Sequence, residues 1–208
     1  MEYKRFPMGA LWTNAYLIWD SERRAVLVDP GGDPSEALDF AEAKQLAIEW
    51  ILLTHGHADH IAGLDEARKK AVLGVAIHRG DSRMLANPDE NLSRWMGSPV
   101  HSGEAEKVLE DGERFKVGRM DFTVVHTPGH TPGSACFLVQ EDEEEILVSG
   151  DTLFARSVGR TDLPGGSEKE LKSSLRKLDA LPDHLQVLPG HGPETNLGQE
   201  KNENPFWP

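Results

Sequence analysis

Apolar positions fall in short runs broken by polar turns, and nearly every run has the length and residue types of a strand. Leu11 to Trp19 and Ala25 to Val28, rich in aromatic and β-branched residues, flank the polar stretch Asp20 to Arg24 and predict a β-hairpin. Trp50-Ile51-Leu52-Leu53 reads as a buried strand. Gly74 to His78, Phe115 to Val117, Phe122 to His126, Ala135 to Val139, Ile146 to Val148 and Gln186 to Leu188 give further strands. Between the last two strands of the middle group, the acidic run Gln140 to Glu145 reads as a solvated hairpin turn.

Helices are marked by their ends. Asp33 as N-cap, Pro34 at the first helical position and Glu36 three residues after the cap predict a helix continuing to Lys44. Ile61 to Lys70 reads as the start and body of a helix with cations in its last turn, as a helix C-terminus favours, and Asp81 to Ala86 is a shorter helical candidate. Ser167 to Glu170 is a capping box, followed by a stripe at Leu171, Leu175 and Leu178. Asn87 to Gly103 shows no period, and no internal repeat is present. The alternation of strands and helices over 208 residues fits one domain, residues 1–208, of mixed α/β character.

Composition narrows the function. Asp and Glu outnumber Lys and Arg by 35 to 22, a net charge of -13, which argues against nucleic acid because that affinity comes from Lys and Arg. Cys136 is the sole cysteine, so no intrachain disulfide or cysteine-rich zinc site is expected. No apolar stretch has the length of a signal peptide core or a membrane span, from which a cytoplasmic protein with no membrane partner is expected.

The chemistry concentrates in Thr54-His55-Gly56-His57-Ala58-Asp59-His60, between the Trp50 strand and the next helix. Four metal-capable side chains in six positions exceed what packing alone requires. His55 and His57 alternate and can face one way, while the adjacent Asp59 and His60 diverge, so one loop can feed two metals. Three later strand ends carry His130, Asp151 and His191, each beside glycine. Sorted by donor type, His55, His57 and His130 form a nitrogen site and Asp59, His60 and His191 a mixed one. Asp151 can bridge the two, because its oxygens suit ions about 3.5 to 4 Å apart. Zinc is the first choice of divalent ion, with iron or manganese as alternatives for the same donors. His126, ending an apolar strand, reads as a support for ligands rather than a ligand, as does Thr54 at the head of the loop. His78, His101 and His184 lack partners at ligand spacing, and Cys136 reads as a buried small apolar residue.

These residues in this order resemble the metallo-β-lactamase superfamily, whose H-x-H-x-D-H loop is matched by His55 to His60 and whose later ligands are matched by His130, Asp151 and His191. Thr127 to Gly133, Gly150 to Phe154 and Gly159 to Asp162 look most like the glyoxalase II (hydroxyacylglutathione hydrolase) branch in its compact bacterial form. The resemblance implies a four-layer αββα sandwich of two mixed sheets, with metals in a cleft at one edge. It implies that Asp29 orients the metal loop, and that Arg160 stands where the branch has a lysine contacting glutathione, although Asp162 replaces a tyrosine. The expected activity is hydrolysis of an acyl thioester such as S-lactoylglutathione by a water activated between two metals, with Asp59 orienting it. Alternatives on the same fold are a lactonase or esterase, a persulfide dioxygenase with one iron, and a non-catalytic binding module. A β-lactamase is disfavoured by Asp59 and by the expected lack of export.

Overall fold

The computed structural model describes residues 1–208, and two six-stranded sheets organise it. The first half of the chain builds one sheet from β1 (Glu2–Met8), β2 (Thr13–Trp19), β3 (Arg24–Val28), β4 (Ala47–Leu53), β5 (Gly74–His78) and β6 (Lys107–Leu109), in that spatial order. Between them lie α1 (Ser35–Ala43), α2 (Ala58–Ile61), α3 (Leu64–Arg68) and a 3-10 helix (Arg79–Ala86). The second half supplies β7 (Arg114–Val117), β8 (Met120–His126), β9 (Ala135–Glu141), β10 (Glu144–Gly150), the small pair β11 (Leu153–Phe154) and β12 (Ser157–Val158), α4 (Glu168–Leu178), β13 (Gln186–Pro189), β14 (Thr195–Asn196) and α5 (Leu197–Glu203). The second sheet runs β14-β13-β10-β9-β8-β7. Pairing is parallel from β3 through β6 and between β10 and β13, and antiparallel elsewhere.

Alternation along each strand sorts side chains into three cores. Tyr16, Ile18, Val26, Val28 and Leu52 of the first sheet face Phe122, Phe137, Val139 and Val148 of the second. The other face of the first sheet, with Leu17, Leu27, Ile51 and Leu53, is covered by Ala37 and Ala41 of α1 and Leu64 and Ala67 of α3. The other face of the second, with Cys136, Leu147 and Val187, is covered by Leu175 and Leu178 of α4 and Leu197 of α5. Three cores between four layers make the αββα sandwich.

Several local expectations shift. The first helix starts at Ser35 with Pro34 in the cap position, and Asp33 instead accepts from the Ser35 amide at 3.0 Å. The capping box is half formed: Ser167 Oγ accepts from the Glu170 amide at 3.3 Å, while the Ser167 amide is already donated to the Gly129 carbonyl. The helix expected over Ile61 to Lys70 is divided: Ile61 ends the single turn α2, which carries Asp59 and His60, and α3 begins at Leu64. Asp81 to Ala86 belongs to a 3-10 helix. Of the acidic run, only Asp142 and Glu143 lie between the paired strands, and Glu141 is buried, taking the Met1 ammonium at 2.7 Å and Arg119 at 3.1 Å. No helix is long and apolar enough to cross a membrane.

Candidate metal centre

Parallel strands align their C-terminal ends, so the loops after β3, β4 and β5 gather at one rim, and those after β10 and β13 do the same across the sandwich. Asp29 follows β3, the histidine loop follows β4, His130 follows β8, Asp151 follows β10 and His191 follows β13. All seven sequence-predicted donors meet there. His55, His57 and His130 have ligand atoms within 4.8 Å of one another, as do Asp59, His60 and His191. Asp151 spans the groups, with Oδ1 3.3 Å from His60 Nε2 and Oδ2 3.6 Å from both His130 Nε2 and His191 Nε2.

The tautomers follow from the surroundings. A backbone carbonyl can only accept, so His130 Nδ1 donates to the Arg160 carbonyl at 2.8 Å and His191 Nδ1 to the Leu11 carbonyl at 3.2 Å. His60 Nδ1 meets the Asp29 carboxylate at 2.9 Å. The Thr54 hydroxyl donates to Asp29 Oδ2 at 2.6 Å, which leaves its lone pairs for His55 Nδ1 at 3.2 Å. Four rings thus turn Nε2 toward the centre. His57 is turned the other way, with Nδ1 2.9 Å from His130 Nε2. The Arg160 carbonyl is a part of this geometry that sequence reading missed, since only its guanidinium carried a signal.

Burial pushes His55 well below the ordinary histidine range and His57 down to about 3, each with further repulsion from neighbouring imidazoles. His60 goes the other way: burial opposes its charge, but Asp151, Asp59 and Asp29 outweigh it and raise it well above the ordinary range. Asp59 and Asp151 are held low by His60 and their other imidazole neighbours despite burial. Neutral His55 and His57 thus stand beside carboxylates that draw in positive charge. Buried His55 Nε2, His57 Nε2 and Asp151 Oδ1 have no hydrogen-bond partner, a costly state that cation ligation would relieve for His55 and Asp151. Imidazole nitrogen with carboxylate oxygen fits zinc, iron or manganese.

Two supports were not legible. Asp81, fully buried in the 3-10 helix, accepts from the Gly56 amide at 2.9 Å, the Thr131 hydroxyl at 2.6 Å and the Gly133 amide at 2.6 Å. It therefore cross-braces the loops of His55 to His57 and of His130. Asn91, buried in the aperiodic segment, bonds the Met84 carbonyl at 2.8 Å and the Val100 carbonyl at 3.0 Å, and its own carbonyl takes the Ala58 amide at 2.8 Å. Gly159 lets the second half close: a Cβ there would stand 1.8 Å from the Asp151 carbonyl oxygen. His126 makes no hydrogen bond to the seven; its Nε2 contacts the Pro132 carbonyl at 2.8 Å and its ring stacks on buried His78, centroids 3.9 Å apart.

Above the donors lies an open cleft of about 510 Å³, with His57, Asp59, His130, Asp151 and His191 in its floor and Arg160 at its side. The guanidinium is already engaged by Asp162, through Nε at 2.7 Å and a terminal nitrogen at 2.8 Å.

This fold and donor set define a metallohydrolase scaffold, and the comparisons agree: a model of the metallo-β-lactamase superfamily matches residues 8–191, and the chain belongs to that superfamily. It is 35% identical over 211 residues to the hydroxyacylglutathione hydrolase GloC of Haemophilus influenzae, covering 99% of this chain and 98% of that one. Among solved structures it is similar to the BLEG-1 B3 metallo-β-lactamase (39% identity, TM-score 0.92, 99% of both chains). It is similar also to TTHA1623 in a di-iron-bound form (38% identity, TM-score 0.86, 98% of this chain and 99% of that one).

Proposed function

We propose that the protein is a binuclear metal-dependent thioesterase acting on acyl thioesters of glutathione or a similar small thiol. His55, His57 and His130 would hold one ion, Asp59, His60 and His191 the other, and Asp151 both. The observation that carries this reading is the convergence of five imidazoles and two carboxylates at the floor of an open cleft. The full-length similarity to a hydroxyacylglutathione hydrolase supports the choice of substrate.

When bound, two divalent ions would lower the pKa of a water to about 7 and polarise a carbonyl. The chain's own groups supply position and proton handling. Thr13 Oγ1 donates to Asp59 Oδ2 at 3.3 Å, and His191 Nε2 lies 3.2 Å from the same oxygen, so the carboxylate is fixed in direction. Because Asp59 is held well below the usual carboxylate range, it serves to accept a hydrogen bond and orient the attacking water more than to store a proton. Asp29 and the carbonyls of Leu11 and Arg160 fix the imidazole orientations, which preorganises the floor before substrate arrives.

The test is kcat/KM for S-lactoylglutathione, a simple lactone and a chromogenic cephalosporin on one zinc-loaded sample, alongside Asp151→Ala. Thioester preference of at least tenfold, lost with Asp151→Ala and on chelation, is the expected result. A cephalosporin preference would replace the thioesterase with the second reading, β-lactam hydrolysis, which the 39% identity to a B3 enzyme favours. Thioester turnover surviving metal removal would refute both.

A further inference from the structure

The cleft is larger and less polar than a lactoyl group needs. About 510 Å³ is the size of a site for a drug-sized ligand. Its floor is the donor cluster, but its walls are Leu11, Leu92, Trp95, Met96, Phe154 and Leu163. Trp95 is 68% exposed and Met96 50%, a pair of large apolar side chains left in water at the mouth of a polar site.

These walls are held in register with the floor. Leu11 is the residue whose carbonyl takes His191 Nδ1. Leu92, Trp95 and Met96 follow Asn91, whose carbonyl takes the Ala58 amide between His57 and Asp59. Ser93 accepts from the Val100 amide at 2.8 Å and closes the loop behind them. An apolar chain lying along this wall would therefore run from a carbonyl at the floor toward Trp95 and Met96 at the mouth.

Charge points away from a polyanionic carrier. Arg160 is the only Lys or Arg side chain lining the cleft, and Asp162 pairs with one edge of its guanidinium through Nε and a terminal nitrogen. The whole chain carries a net charge of -13. A thiol with two free carboxylates would meet no unpaired cation at the cleft wall and would approach against the field of the molecule.

Resting on the thioesterase reading, we infer that the preferred substrates are thioesters of unbranched apolar acyl groups of medium length. The acyl chain lies against Leu92, Trp95 and Met96, and the carrier thiol makes the smaller contribution to recognition. Cleavage adds water across the acyl carbon–sulfur bond, the hydroxyl going to the carbon and a proton to the sulfur, to give a carboxylic acid and a free thiol. The reaction that supplies such a substrate is acyl transfer onto a small thiol.

Four thioesters separate the contributions on the zinc-loaded protein: acetyl and octanoyl, each on N-acetylcysteamine and on glutathione. The expected kcat/KM is at least tenfold higher for octanoyl than for acetyl on either carrier, with a smaller difference between the two carriers. In Trp95→Ala/Met96→Ala the octanoyl-to-acetyl ratio falls at least tenfold; both side chains are half or more exposed, so folding is not at stake. An octanoyl kcat/KM equal to or below the acetyl value, or a strong glutathione preference with acetyl, overturns the inference while leaving the thioesterase reading intact. Binding of S-octylglutathione against S-methylglutathione, neither of which can be hydrolysed, reads the wall without chemistry. At least tenfold tighter binding of the octyl compound, abolished by the double variant, supports the wall even where no thioester is turned over; equal binding overturns it.

Discussion

At the scale of single residues, Asp29 ties the head of the histidine loop to one of its imidazoles. It sits at φ 47°, in the left-handed region that Asp and Asn tolerate better than other non-glycine residues. Its two oxygens take the Thr54 amide, the Thr54 hydroxyl and His60 Nδ1. Asp29→Asn keeps the backbone preference and removes the charge that orients His60. Zinc affinity is expected to fall about 10- to 100-fold with secondary structure intact, measured by competition with a chromophoric chelator and by circular dichroism.

His78 makes a second prediction at this scale, independent of metal. Burial, followed by its stacked neighbour His126, pushes it down to about 4, whereas the unfolded chain binds a proton near pH 6.5. Between those values the unfolded state holds more protons, so this contribution to stability is complete above pH 6.5 and is lost as pH falls toward 4. The limiting slope is about 1.4 kcal/mol per pH unit. In the metal-free protein, His78→Gln should flatten the decline in urea-unfolding free energy over that window by up to this slope; parallel curves for both proteins would refute it.

Elements matter because the donors sit on loops, and loops need bracing. Asp81 ties two of them, and its carboxylate meets three donors and nothing else. Asp81→Asn replaces one acceptor by an amide donor facing a donor. A loss of about 2 kcal/mol is expected, roughly 5 °C in melting temperature for a chain of this size. Zinc affinity should weaken with it, because His57 and His130 lose their shared register. Differential scanning calorimetry and zinc titration on the same sample check both.

The same scale explains what could be read from the sequence. His55 to His60, His130, Asp151 and His191 were legible because imidazoles and carboxylates beside glycine at strand ends have few other uses. The strands were legible wherever both faces are buried, as in β2 and β4. β1 was not, because Lys4, Arg5 and Pro7 suit an edge strand that only one neighbour needs. Asp81 and Asn91 carry no local pattern at all. Their partners lie up to 52 residues away, and a lone buried polar residue acquires meaning only when the loops it joins are known. Segment 87–103 lacked periodicity because side chains of Asn87, Asn91 and Ser93, not a repeating ladder, hold its backbone.

For the whole molecule, the donors come from both sheets, four from the first and three from the second. A ligand that binds only the native arrangement stabilises it by mass action. At free zinc 100 times above the dissociation constant, about 2.7 kcal/mol is expected from one ion, so chelation should lower the melting temperature by roughly 5 to 10 °C. Restoring zinc should return it. A melting temperature indifferent to chelator would mean that the cluster holds no ion.

The division of the chain between sheets has one more consequence. Residues up to Leu109 complete the first sheet and residues from Arg114 begin the second, with only the turn around Gly112 between them. A backbone cut there would leave each fragment with a whole sheet, one side of the central core and an incomplete set of donors. Such fragments, produced separately, are expected to reassemble as a split protein when mixed, and to do so more tightly with zinc than with chelator, read by size-exclusion chromatography. The metal would then act as the latch of a two-piece reporter, and its presence could be sensed by whether the halves remain joined.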